Sequence, residues 1–167
     1  NNCDTHAAWT YHDATKHSSA SVRSNRHFLD FENYPLPFKV YPTLAPLPLP
    51  RETRQSGIAA LSAIADPGTS PKQEVVPDLA TLVQILYFSA GVTKTKKFPG
   101  GEIFFRAASC TGALYEIELY IVCGDLPGLA AGVYHFGAGD FALRLLRAGN
   151  FRAALVRAAA GEPSLRH

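Results

Sequence analysis

Residues 106–122 read RAASCTGALYEIELYIV, and this stretch is the most informative part of the 167-residue chain. Small and hydroxyl-bearing residues stand together from position 109 to 113, directly before an apolar run rich in β-branched residues. Gly112 and Ala113 carry almost no side chain, so the backbone can approach a flat ligand closely at this point. Hydroxyl and N–H groups of the same turn can hydrogen-bond the edge of such a ligand. The residues alone predict a tight turn followed by a strand.

The composition is that of an ordinary globular chain, since 47% of the residues are hydrophobic and 18% are charged. A length of 167 residues fits one domain. The formal net charge of +2 is too small for a nucleic-acid-binding surface. No apolar run approaches the roughly 20 residues that a membrane helix needs. We therefore expect neither a nucleic-acid partner nor a membrane partner.

Cysteine and methionine usage carries two further expectations. The three cysteines include no Cys-x-x-Cys pair, so the sequence predicts neither a disulfide framework nor a metal site. Reduced thiols in a cytoplasmic protein are the state that this pattern favours. The chain has no methionine, not even at position 1, and this predicts that it is part of something longer.

The first 50 residues predict an N-terminal helix followed by a proline-rich arm. The helix is expected over residues 7–22, where His12 and His17 could hold a metal or a substrate; an amphipathic surface helix is the simpler alternative. Residues 31–50 contain six prolines, which exclude a continuous helix or a central strand. The apolar residues between these prolines predict that the arm wraps a domain or a partner. Residues 51–167 then form the second part, a partial domain.

Helices followed by strands are expected in this second part, which predicts an α+β class. The clearest helix is capped by Asp78, has apolar residues at helical spacing and stops at Gly91. The other expected elements are a helix over 51–64, a basic loop over 93–101, a strand over 102–107, a strand over 117–123 that is buried on both faces, a hairpin of 132–136 with 141–146, and a last helix over 151–160 capped by Asn150.

Several short segments of the sequence, in their order and spacing, resemble those of one protein family. They are the segments 11–17, 29–31, 37–42, 47–50, 82–93, 112–120 and 128–136. Together they resemble the SagB-type dehydrogenases, the azoline-oxidase-like branch of the FMN-dependent nitroreductase superfamily. The resemblance implies a nitroreductase-like fold with a central sheet flanked by helices, of which this chain is the N-terminal part. It also implies hydride transfer between FMN and a reduced nicotinamide (NADH or NADPH) or an organic substrate.

The resemblance places the flavin edge at the turn. The implied cofactor-binding residues are Arg106, Ser109, Thr111, Gly112, Ala113 and Leu114. A surface salt bridge is the alternative for Arg106, and a purely structural turn is the alternative for the others. No catalytic residue is identified: Cys110 has no obvious base beside it, and Tyr115 and His135 are expected to pack structurally.

Two departures from the family pattern suggest a second hypothesis. The arginine-rich motif that usually anchors the FMN phosphate corresponds here to residues 51–56, where Glu52 interrupts it. Lys94, Lys96 or Lys97 could supply the missing positive charge. Ala108 and Glu116 replace two prolines around the turn. The alternative is therefore a non-catalytic half that serves dimerisation or completes a partner's flavin pocket. Either hypothesis implies a homodimer or a pseudo-dimer with a second nitroreductase-like half, and a small-molecule or peptide substrate.

Overall fold

The computed structural model describes residues 5–24, 32–33, 35–52, 57–65, 76–162 and 165. The chain divides into two compact units, residues 1–35 and residues 36–167. No helix in these described ranges is long and apolar enough to span a membrane.

In the first unit, the helix expected over residues 7–22 is two helices, α1 (Thr5–Thr15) and α2 (Ser19–Ser24). The break follows from local capping at Ser18, whose hydroxyl accepts the N–H of Ser21 at 3.0 Å. The Ser18 N–H in turn donates to the Ser21 hydroxyl at 2.8 Å. This reciprocal pair satisfies backbone donors at the start of α2, so a new helix begins there.

The second unit contains two antiparallel sheets, so the expected α+β class is confirmed. The elements are β1 (Pro46–Pro48), α3 (Ala60–Ala65), α4 (Leu79–Ala90), β2 (Val92–Phe98), β3 (Gly101–Arg106), a 3-10 turn (Thr111–Ala113), β4 (Tyr120–Cys123), β5 (Gly132–Gly137), β6 (Ala142–Ala148) and α5 (Arg152–Ala158). One sheet has four strands in the order β1-β6-β5-β4, and the other pairs β2 with β3.

Helix α4 starts and stops where the sequence predicts. Gly91 at its end is extended and does not adopt the left-handed conformation that is common in glycines after a helix. The Asp78 carboxylate accepts the N–H and the hydroxyl of Thr81 at 2.8 and 2.7 Å. Gly91 has an extended backbone, and its N–H donates to the Tyr87 carbonyl at 2.8 Å. A Cβ at position 91 would lie 2.7 Å from atoms of Tyr87. Position 91 therefore requires glycine, because any side chain would collide with Tyr87 where the backbone leaves the helix.

The core lies between α4 and the four-stranded sheet. Val83 of α4 and Leu143 of β6 are 0% exposed, and Leu86 and Phe136 are 3% and 1% exposed. These side chains belong to one apolar cluster that also includes Leu49 from the proline-rich arm. Burial of such side chains contributes about 1.5–3 kcal/mol each, so the cluster fixes α4 against the sheet.

The proline-rich arm joins the sheet as an edge strand. Residues 46–48 pair with β6, and the N–H of Leu49 donates to the Phe141 carbonyl at 3.1 Å. Proline has no N–H to donate, so a strand with Pro46 and Pro48 is confined to an edge. The expected wrapping of a domain by the arm is confirmed for residues 46–49.

Three sequence expectations in this unit are wrong. Residues 93–101 are not a loop, because residues 93–98 belong to strand β2, which pairs with β3. Both faces of this two-stranded ribbon are largely exposed, so the sequence has no alternation of apolar and polar residues that would predict a strand. The strand over 117–123 begins at Tyr120 and lies at the sheet edge, where Ile117 before it is 75% exposed. The helix over 51–64 is confined to α3 among the described residues.

The hairpin and the last helix hold with small shifts, but the expected cap does not: the N-cap of α5 is Phe151 and not Asn150. Strands β5 and β6 form the expected hairpin. The Asn150 side chain accepts the N–H of Arg152 at 3.2 Å, and α5 begins at Arg152.

Replacing Leu86 by alanine should lower the free energy of unfolding by about 2–5 kcal/mol, because the removed atoms leave a cavity in a packed core. Ile85 is the matched control on the same helix, since it is 53% exposed. Ile85→Ala should cost less than about 1 kcal/mol. Urea unfolding followed by circular dichroism measures both; equal losses would contradict the packing of α4 on the sheet.

Burial raises the pKa of the Cys123 thiol above its ordinary value of 9.0. The thiol therefore keeps its proton in the folded state at a pH where the unfolded chain loses it. The resulting contribution to stability is present below about pH 9 and is lost as the pH rises further. Unfolding free energies measured between pH 7 and 10 should fall more steeply for the natural chain than for Cys123→Ala. Parallel pH curves would contradict this effect.

Candidate functional site

The turn between β3 and β4 has an unusual backbone. Gly112, Ala113 and Tyr115 have φ values of 67°, 55° and 48°. Glycine adopts this left-handed region readily, whereas other residues are strained there. Two strained residues within four positions are a feature that recurs at ligand sites, where the surrounding contacts hold the conformation.

Tyr115 holds the two ends of this turn together. Its hydroxyl accepts the backbone N–H of Arg106 at 2.8 Å. The Arg106 guanidinium lies 5.2 Å from the centre of the Tyr115 ring. These contacts join residues nine positions apart and close residues 107–114 into a loop.

Arg106 is buried, with a side chain that is only 3% exposed. Its Nη2 donates to the Pro37 carbonyl at 3.0 Å and to Glu118 Oε1 at 3.4 Å. The other oxygen of Glu118 hydrogen-bonds Nε2 of His135 at 2.9 Å, and His135 is 0% exposed. The Glu118 carboxylate therefore bridges a buried cation and a buried imidazole.

This geometry bears on the two alternatives for Arg106. The ion pair with Glu118 is present, but it is buried rather than on the surface. The Nε of Arg106 has no hydrogen-bond partner in the described structure. Contact between Arg106 and a flavin stays a prediction.

A cavity of about 300 Å³ lies beside the turn. Three of the six predicted cofactor-binding residues line it: Arg106, Ser109 and Thr111. The structure does not place Gly112, Ala113 or Leu114 in its lining. The remaining lining residues are Ser89, Ala90, Ala108, Cys110, Tyr115, Glu116, Ile117 and Leu119. The volume is at the lower end of the range for small-molecule sites.

Cys110 has a partner that the sequence analysis did not find. Its Sγ lies 3.0 Å from Oε2 of Glu116, and it accepts the N–H of Tyr115 at 3.1 Å. The hydrogen bond from the thiol lowers the pKa of Glu116. The two side chains meet only because the turn folds back between them, and no periodic spacing in the sequence indicates this. Glu116 brings a negative charge to the wall of the cavity.

The described basic residues that the sequence analysis considered as ligands of an FMN phosphate do not line the turn cavity. Arg51 and Lys94 line a second cavity of about 460 Å³, and Lys96 and Lys97 are not in its lining. Residues 53–56 of the arginine-containing word lie outside the described residues.

Comparison with known proteins identifies a similar fold. No family model matches the chain, and no curated protein matches it. The structure is similar to the crystal structure of a protein from Anabaena variabilis that is assigned as a nitroreductase. The TM-score is 0.65 and the sequence identity is 26%, over 95% of this chain and 29% of that chain.

The fold is nitroreductase-like. The nitroreductase-like fold that the sequence segments implied is therefore confirmed. The chain spans only 29% of the length of the Anabaena protein, so the similarity covers one part of that protein's structure.

Replacing Glu118 by glutamine should lower the free energy of unfolding by about 3 kcal/mol, because a buried Arg106 would lose its counter-charge. Asp13→Asn is the control, since Asp13 pairs with Lys16 at 2.6 Å while both side chains are at least half exposed. That variant should cost less than about 1 kcal/mol. Urea unfolding compares the two, and a Glu118→Gln protein as stable as the control would show that the buried bridge contributes nothing.

Proposed function

We propose that this chain is part of an FMN-dependent oxidoreductase that transfers a hydride between flavin and a reduced nicotinamide or an organic substrate. The observation that carries the proposal is the structural similarity to the Anabaena nitroreductase over 95% of this chain, at 26% identity. The strained turn and its cavity support it, because a strained backbone and polar side chains occur together at one place.

The residues around the turn fit the ring of a flavin better than its phosphate. Ser109 and Thr111 bring hydroxyl groups to the cavity, and these suit the N–H and C=O groups along the edge of the ring. Glu116 lines the same cavity and would repel a phosphate. FMN would supply the hydride-accepting centre, while the protein orients it and tunes its electronics.

Arg106 would act on the electrostatics of this site. Arg106 lines the cavity, and the positive charge of its guanidinium is partly offset by Glu118 at 3.4 Å. A fixed cation that needs no reorganisation stabilises negative charge developing on a bound ring. The Glu118–His135 hydrogen bond and the Phe38 ring, 5.1 Å from the guanidinium, hold Arg106 in position.

The SagB-type branch and the need for a second half are further parts of the proposal. The chain matches 29% of the Anabaena protein, and two apolar side chains of α4 stay uncovered: Ile85 is 53% and Phe88 is 64% exposed. Ile117, in the cavity wall, is 75% exposed. A second nitroreductase-like half, from a homodimer or from the same chain, would cover such surfaces and complete the pocket.

One observation favours the non-catalytic alternative. The only cation that lines the turn cavity among the described residues is Arg106, which is already bonded to Pro37 and Glu118. In that case this half would contribute a wall of the pocket, and the second half would carry the phosphate ligands.

The test is flavin titration of the full natural protein. We expect Gly112→Val to reduce FMN affinity by about five- to a hundredfold, because a branched side chain strains the left-handed backbone at Gly112 and shifts the adjacent Thr111, which lines the cavity. Gly161→Val is the matched control: Gly161 also has a positive φ, of 83°, and a Cβ there meets nothing within 4 Å. It reproduces the backbone strain away from the turn.

Two results would count against the proposal, the first against its function and the second against its assignment of the site. One is a natural protein that is colourless and cannot be reconstituted with FMN. The other is a folded Gly112→Val protein, judged by circular dichroism, with the FMN affinity of the Gly161→Val control; this would make the turn structural.

A further inference from the structure

A lysine and two tyrosines meet where the proline-rich arm contacts β4, at the edge of the main sheet. The hydroxyl groups of Tyr41, from the arm, and Tyr120, from β4, are hydrogen-bonded at 3.0 Å. Nζ of Lys39 lies 5.3 Å from the centre of the Tyr41 ring and 5.7 Å from the centre of the Tyr120 ring. These three residues form the tyrosine cluster. None of the three lines the turn cavity or the second cavity.

The tyrosine cluster lies against a buried histidine. The ring centres of Tyr41 and Tyr120 are 5.0 and 5.3 Å from that of His135, which is 0% exposed. Nε2 of His135 is hydrogen-bonded to Glu118 at 2.9 Å, so the imidazole is itself held in place. Tyr120 nevertheless stays 45% exposed. Its phenol is therefore positioned by packing on one side and open to reagents in solution on the other.

The charges around Tyr120 favour the phenolate form. The Lys39 ammonium donates a hydrogen bond to the Tyr120 oxygen and lowers the pKa of Tyr120 most, and the Tyr41 hydroxyl lowers it further. Burial and the negative charge of Glu118 act in the opposite direction, but the net shift of this pKa is downward. The same contact raises the pKa of Lys39, so the ammonium keeps its proton. His135, the remaining titratable group that faces the ring, is bonded to Glu118.

This arrangement reverses the usual order of reactivity between a lysine and a tyrosine. A protonated ammonium has no free electron pair and is not a nucleophile. A phenolate oxygen has one, and a phenol whose charged form is stabilised reacts at a pH where an ordinary phenol, with a pKa of about 10, is protonated. The cluster therefore activates the oxygen of Tyr120 and protects the nitrogen of Lys39.

We propose that Tyr120 is a covalent modification site, whose phenol oxygen accepts an acyl group from activated acyl donors. The oxygen attacks the carbonyl carbon of the donor, and an ester bond forms as the bond from that carbon to the leaving group breaks. The proton of the phenol passes to the leaving group, so the step needs no oxidant or reductant. This site goes beyond the proposed hydride transfer and requires no flavin.

The experiment treats the full natural protein with N-acetylimidazole, and peptide mass spectrometry follows the acetylation of each tyrosine and lysine. Hydroxylamine removes the acetyl group from a tyrosine ester but not from a lysine amide, which identifies the acceptor atom. At about pH 7.5 we expect Tyr120 to react about tenfold faster than Tyr11, although Tyr11 is 73% exposed. Lys39 should react more slowly than Lys96, which is exposed on β2.

Variants separate the charge of Lys39 from its packing. Lys39→Gln should slow the acetylation of Tyr120 about fivefold, because the neighbouring positive charge is lost, and Lys39→Arg should restore the rate. Lys96→Gln is the matched control and should leave the rate unchanged. Lys39 and Lys96 are both exposed, so these variants should fold, and circular dichroism checks this.

The proposal is overturned if Tyr11 reacts as fast as Tyr120 in the natural protein, or if Lys39 is acetylated before Tyr120. Neither comparison depends on a variant. It is also overturned if Lys39→Gln reacts at the rate of Lys96→Gln, or if Lys39→Arg is as slow as Lys39→Gln. Flavin affinity enters none of these rates, so this site stands or fails separately from the proposed oxidoreductase function.

Discussion

The interaction on which the candidate site depends is the carboxylate of Glu118, which lies between the buried guanidinium of Arg106 and the buried ring of His135. A buried cation is tolerated only where a counter-charge and hydrogen bonds compensate its lost hydration. Glu118 precedes β4, Arg106 ends β3, and His135 belongs to β5. One carboxylate therefore connects the two-stranded ribbon with the main sheet, beside the turn.

Helix α4 determines the position of the second element of the site. Its buried face is fixed against β5 and β6 by apolar packing, so its C-terminal end occupies a defined place beside the sheet. Ser89 and Ala90 of that end line the turn cavity, and Tyr87 lines the second cavity. The extended backbone at Gly91 then starts β2 directly, which places Val92, Thr93 and Lys94 in the lining of the second cavity.

The sequence predicted the elements whose cause is local. Asp78 caps α4 with its own side chain, and the residues that follow have the helical spacing of a buried face. The β5–β6 hairpin was equally visible, because its strands are short and a glycine-rich turn joins them. Strand β2 was missed for the opposite reason: its two faces are largely exposed, so pairing with β3 alone defines it.

By itself, the sequence determined the α+β class, the nitroreductase-like fold and the position of the turn. These follow from the local pattern of apolar and turn-forming residues and from the order of short sequence motifs. Only the tertiary structure decided which side chains meet. It buried Arg106 against Glu118, placed Glu116 beside Cys110, and brought Arg51 and Lys94 into one cavity. These contacts depend on how the arm, the ribbon and the turn pack on the sheet, and no spacing along the chain records that packing.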